Sequence, residues 1–148
     1  MNPAASGKTM KIYLIYGERD SGKTNTCAKI LKSLIALGAS VNFYETFKWE
    51  GDFKTVTAFQ GKTIGIYSPG DSKAQLQAAI NMGKNKGCDI LIATIRKNIA
   101  YKDVLEKCAA RYPQEWMYIE KGNNENEMER IETRMALEML NKIYTEIF

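Results

Sequence analysis

The chain has 148 residues, 45% of them hydrophobic and 26% charged, with a net charge of +4. That composition excludes disorder and suits one domain with a full core, and no apolar run approaches the ~20 residues that span a bilayer. Histidine is absent, which removes Ser-His-Asp triads, Cys-His pairs and His-ligated zinc and leaves carboxylates, Lys, Arg, hydroxyls and an oxygen-held metal.

With no charged and apolar leader at its start, the chain reads as cytoplasmic. The mild basicity suits an anionic nucleotide, whereas no cluster of Lys and Arg with aromatics indicates nucleic acid. Cys27, Cys88 and Cys108 are far apart with no C-x-x-C pair, and their apolar settings read as buried thiols.

Residues 1–9 read as a disordered leader or expression remnant, and 10–148 as a single domain. The apolar run Ile12–Tyr16 reads as a strand. A helix follows from Gly22 to Leu37, with Cys27, Ile30, Leu31, Leu34 and Ile35 at three-to-four spacing and Gly38 as its stop. Val41–Tyr44 is a short second strand, and 45–52 a loop carrying Phe47 and Trp49. Phe53–Gln60 alternates, with Phe53, Thr55, Thr57 and Phe59 on one face. A turn at Gly61-Lys62 sends it back through Thr63–Tyr67 as a hairpin.

After the break at 68–71, Ser72-x-x-Gln75 has capping-box form and opens a helix that fades at Gly83 to Gly87. Asp89–Thr94 is a continuous apolar strand of the doubly buried kind. A helix from Asn98, a strand Trp116–Ile119 and a last helix opened by Glu125–Glu127 complete the chain. Strands alternate with helices. The expected fold is an α/β, three-layer α/β/α sandwich on a mainly parallel sheet of about five strands, with one antiparallel hairpin strand.

Between the first strand and the first helix, residues 17–24 read Gly17-Glu18-Arg19-Asp20-Ser21-Gly22-Lys23-Thr24. This is a complete G-x-x-x-x-G-K-[ST] string in a strand–loop–helix setting. Glycines let successive N–H groups turn inward toward phosphate oxygens, and the helix adds its free amides and dipole. A plain tight turn is the competing reading. It would leave Lys23 solvated at a helix N-terminus, where a cation is unfavourable. Ser6-Gly7-Lys8-Thr9 is a decoy, because Asn2 stands where the first glycine belongs.

The loop resembles that of the P-loop NTPases. The resemblance implies that Gly17, Asp20, Ser21, Gly22, Lys23, Thr24 and Asn25 bind the phosphates of a nucleotide, with Lys23 reaching the β- and γ-phosphates and Thr24 ligating Mg²⁺. It also requires a carboxylate at the end of a neighbouring strand. Asp89 starts its strand, on the wrong edge. Asp71 follows Thr63–Tyr67 and is the preferred metal and catalytic carboxylate, although Ser68 stands nearer the strand end. Capping of the next helix is the rival role for Asp71. By the same resemblance Thr94 or Arg96, after the buried strand, contacts the γ-phosphate, against a plain solvated Arg96-Lys97 pair.

Phe47 and Trp49 read either as a base-stacking or acceptor pocket or as a cover for the core edge. Met128, Met135 and Met139 read as core-facing. The implied function is Mg²⁺-dependent binding and hydrolysis of a nucleoside triphosphate, ATP by default because no N-K-x-D guanine reader is present. A small-molecule or nucleotide kinase, and a non-catalytic nucleotide-dependent switch or adaptor, are the alternatives.

Overall fold

The computed structural model describes residues 9–97, 105–107 and 111–148. In chain order the elements are β1 (Lys11–Gly17), α1 (Lys23–Ala36), β2 (Ser40–Thr46), β3 (Phe53–Phe59), β4 (Lys62–Tyr67), α2 (Lys73–Asn85), β5 (Ile90–Arg96), β6 (Gln114–Tyr118) and α3 (Glu125–Ile147). Of the helix expected from Asn98, residues 105–107 are described and are helical; the rest of it, with Cys108, lies outside the described residues, as does most of the 1–9 segment.

The strands form one six-stranded sheet in the order β2-β3-β4-β5-β1-β6. β1 pairs in parallel with β5 and β6, and β4 pairs in parallel with β5. β3 is antiparallel to both β4 and β2, so it alone runs against the rest. The expected antiparallel strand is therefore present, in a sheet one strand wider than expected. Its turn falls at Gln60-Gly61 (φ 50° and 78°), one residue earlier than the sequence suggested. Two consecutive left-handed residues match the twist of a hairpin.

Alternation along each strand divides the apolar residues between two clusters. Tyr13 and Ile15 of β1 join Phe53, Phe59, Ile64, Ile66, Ile90 and Ile92 in the first, which α1 supplies with Ile30 and Leu34 and α3 with Met135, Met139 and Ile143. Ile12 and Leu14 join Val56, Leu91 and Ala93 in the second, with Leu76, Ala79, Ile80 and Met82 of α2. Successive strand residues point to opposite faces, and the two clusters draw on different helices, α1 and α3 in the first and α2 in the second. This explains why β1 and β5 read as continuous apolar runs. β2, by contrast, is an edge strand, largely exposed and bulged between Val41 and Phe43, an irregularity that discourages edge-to-edge pairing.

The direction of β3 is the feature that matters for function. Its N-terminal residue Phe53 lies beside the C-terminal end of β4, with the Phe53 N–H donating to Ser68 Oγ at 2.9 Å and the Ser68 N–H to the Phe53 carbonyl at 3.0 Å. Asp52 is thereby delivered to the sheet edge where β1, β4 and β5 end.

Candidate functional site

At that edge the chain leaves β1 at Gly17, makes a turn in which the Ser21 N–H donates to the Glu18 carbonyl (3.2 Å), and enters α1 through Gly22. Gly22 has φ +93°, and a Cβ there would sit 2.5 Å from Glu132 Oε2 and 2.9 Å from Glu132 Cγ. Glycine is thus required twice, by conformation and by contact. Side chains cap α2 and α3: Ser72 accepts from the Gln75 N–H, and Asn124 from the Glu127 N–H. α1 has no side-chain cap and no acidic residue in its first turn. The amides of its first turn, which no helix satisfies internally, are left facing the loop.

Lys23 is not solvated. It is 8% exposed, and its Nζ donates to the Glu18 carbonyl at 2.7 Å and the Gly17 carbonyl at 3.2 Å. Burial lowers its pKa, opposed first by the charge of Asp71, while Arg96 adds to the lowering. Among the described residues no carboxylate lies within salt-bridge distance of Lys23. Its positive charge is held by neutral carbonyl oxygens and the more distant fields of Asp71 and Asp20.

A cavity of about 580 Å³ opens over this loop. Arg19 to Asn25 form its floor, Glu50 to Asp52 one wall, Ser68 to Asp71 another, and Thr94 and Met128 complete it. The volume is in the range of small-molecule and cofactor sites. Of the residues expected at the site, Asp20, Ser21, Gly22, Lys23, Thr24, Asn25, Asp71 and Thr94 all line this cavity. Gly17 supports it from below, its carbonyl accepting from the Lys97 N–H at 2.8 Å as well as from Lys23.

Arg96 does not line the cavity. It ends β5 beside Gly17, and its backbone N–H donates to the Gly70 carbonyl at 3.1 Å. Thr94 is 1% exposed and donates its hydroxyl hydrogen to the Ser68 carbonyl at 2.7 Å, leaving only acceptor capacity toward the cavity. Asp71 does not cap α2. Ser72 does so, while the Asp71 N–H donates to Gln75 Oε1 at 2.6 Å and its exposed side chain remains on the cavity wall. Phe47 packs on the second apolar cluster, edge-on against Tyr67 (5.5 Å between centroids) and tilted against Trp49 (5.4 Å), which is itself exposed; neither lines the cavity. Met135 and Met139 are core residues as expected, but Met128 lines the cavity. Cys27 is fully buried, and burial followed by the charge of Asp52 pushes its thiol up to about 12.

No family model, curated protein or solved structure matches the chain. The site has to be read from its own chemistry.

Two groups had not been singled out from the sequence. Asp52 Oδ1 accepts from Thr24 Oγ1 at 2.9 Å and from Ser68 Oγ at 2.8 Å. It was findable: an antiparallel strand starting at Phe53 must bring its first residues to the edge where Thr63–Tyr67 ends. Glu132 of α3 lies behind the loop, 3% exposed, packed on Gly22 and accepting from Asn25 Nδ2 at 3.3 Å. Burial raises its pKa, with Glu129 adding to the rise and the Asn25 bond and Lys29 opposing it. A lone Glu in a helix gave no sequence signal of that placement.

The donors around Thr24 are all oxygens: its hydroxyl, the Asp52 carboxylate and the Ser68 hydroxyl. Such a set suits a hard cation such as Mg²⁺, which takes few protein ligands and completes its shell with water and phosphate. Among the described residues no group of three or more His, Cys, Asp or Glu could hold a metal ion by itself. No described helix is long and apolar enough to cross a membrane.

Proposed function

We propose that the chain binds a Mg²⁺-nucleoside triphosphate, ATP by default, in the cavity over the 17–24 loop and hydrolyses its β–γ bond. The fold reading that goes with this is a three-layer α/β/α sandwich of P-loop NTPase type, supported by the two apolar clusters that one sheet divides. The observation that carries the function is Lys23: a buried ammonium with no salt bridge among the described residues, beside an uncapped helix N-terminus, at the floor of a cavity of nucleotide size. Burial of an unpaired cation is unfavourable, and a polyphosphate is the anion whose charge and shape answer both features at once.

In this reading the amides of Gly22 to Asn25 and the Lys23 ammonium hold the phosphates. When bound, Mg²⁺ neutralises charge on the β- and γ-phosphates. Thr24 is the hydroxyl that would hold the metal. Asp71, exposed on the opposite wall, would orient an attacking water. Arg96 adds its field at Lys23, and Thr94 supports the wall through Ser68.

The test is incubation of purified protein with Mg²⁺ and γ-labelled ATP or GTP, alone and with a panel of hydroxyl and phosphate acceptors. Free labelled phosphate without acceptor is the expected result. Label transferred to an acceptor would replace hydrolysis with a kinase reaction, and binding without turnover would leave a nucleotide-dependent switch.

A further inference from the structure

Resting on the proposed nucleotide site, we infer that Asp52, and not Asp71, is the carboxylate that positions Thr24 for the divalent cation, and that Ser68 is its anchor. The usual place for such a carboxylate is the end of a parallel strand, and β4 ends there in Ser68, which carries no charge. The geometry supplies the missing charge from the neighbouring antiparallel strand. Ser68 Oγ accepts from the Phe53 N–H at 2.9 Å and donates to Asp52 Oδ1 at 2.8 Å. One side chain therefore both fixes the start of β3 and points the preceding carboxylate at α1.

Asp52 then accepts the Thr24 hydroxyl hydrogen at 2.9 Å. A threonine hydroxyl has one hydrogen and two lone pairs. With the hydrogen directed to Asp52, the lone pairs are what Thr24 offers the cavity, and a hard cation takes a lone pair. The backbone holds this in place from the other side: the Phe47 N–H donates to the Asp52 carbonyl at 3.2 Å and the Asp52 N–H to the Trp49 carbonyl at 3.3 Å. The Thr24 hydroxyl donates to Asp52 and not to Asp71, whose N–H is bonded to Gln75 and whose side chain is exposed. Asp52 is thus a positioning residue, of the kind whose loss typically lowers metal affinity by about 10–100-fold.

The experiment is calorimetric titration of ATP in Mg²⁺ and in EDTA into wild type, Asp52→Asn, Ser68→Ala and Asp71→Asn, with thermal melts alongside. The quantity read is the ratio of the two dissociation constants, which a merely structural defect would leave unchanged. Wild type should bind more tightly with Mg²⁺. Asp52→Asn should reduce that advantage by at least ~10-fold with affinity in EDTA held within about 2-fold. Ser68→Ala keeps the carboxylate and unties it, so it should lose a smaller part, and this variant decides the matter if Asp52→Asn fails to fold. Asp71→Asn should keep the advantage. An unchanged advantage in Asp52→Asn, or a loss in Asp71→Asn as large as its own, overturns the inference and leaves nucleotide binding standing. A wild type that binds no nucleotide in either buffer overturns both.

Discussion

Substituting Gly22 by Ala probes the most constrained point of the site. At φ +93° an L-residue costs roughly 1–2 kcal/mol in left-handed strain. The new methyl would also meet Glu132, with Oε2 at 2.5 Å, Cγ at 2.9 Å and Cδ at 3.1 Å. Glu132 is 3% exposed and packed between α1 and α3, so its displacement resembles overpacking, at about 1–3 kcal/mol. Together these give roughly 2–5 kcal/mol, which for a domain of this size is on the order of 4–20 °C in Tm. Differential scanning calorimetry measures the drop, and a double-mutant cycle separates its causes. In a Glu132→Ala background the contact is gone, and Gly22→Ala should cost only the ~1–2 kcal/mol of strain. Equal cost in both backgrounds, or a Tm change below about 2 °C, would refute the packing of Glu132 on the loop.

Three further outcomes follow from the same geometry. Burial holds the Glu132 pKa above its ordinary value of 4.5, so the stability this group contributes is fully present below its unfolded pKa and is lost as pH rises through the native one. Glu132→Gln should therefore raise Tm at pH 7 and change it less near pH 4; an equal change at both would argue against a buried carboxylate. Asp71→Asn should lower steady-state phosphate release by at least about 10-fold while ATP affinity stays within about 2-fold, since a water-orienting group acts on kcat; unchanged release would remove Asp71 from the reaction. Arg96→Ala, at a residue off the cavity wall, should leave release within about 3-fold, whereas a loss of ~100-fold or more would return it to the γ-phosphate.

Much of this was legible in the chain because periodicity and loop chemistry are local. The run Ile12–Tyr16 and the buried stretch after Asp89 announced doubly covered strands. Phe53, Thr55, Thr57 and Phe59 alternated because one side of β3 faces α1 and α3, and its two threonines are completely buried there, with hydroxyls donating to the Phe43 and Ile64 carbonyls. Ser72 and Gln75 announced their cap. What stayed hidden was long-range. Nothing near Lys23 in sequence says that its ammonium is turned inward. Asp52 and Thr24 are 28 residues apart, and only the antiparallel course of β3 brings them together. Glu132 and Asn25 are 107 apart and meet through the packing of two helices. Arg96 was drawn toward the site by its position after a strand, but its side chain does not line the cavity.

The most direct measurement is calorimetric titration of Mg²⁺-ATP into wild type and Lys23→Met, a variant that keeps the apolar stem and removes the ammonium. Wild type should bind at a single site, with affinity falling as salt rises. Lys23→Met should bind at least ~100-fold more weakly, since charge-assisted contacts to phosphate are among the strong hydrogen bonds, while its melting temperature stays equal to or above that of wild type. Equal affinity in the two proteins, or no binding to wild type, would contradict the assignment of Lys23 and its loop as an anion receptor.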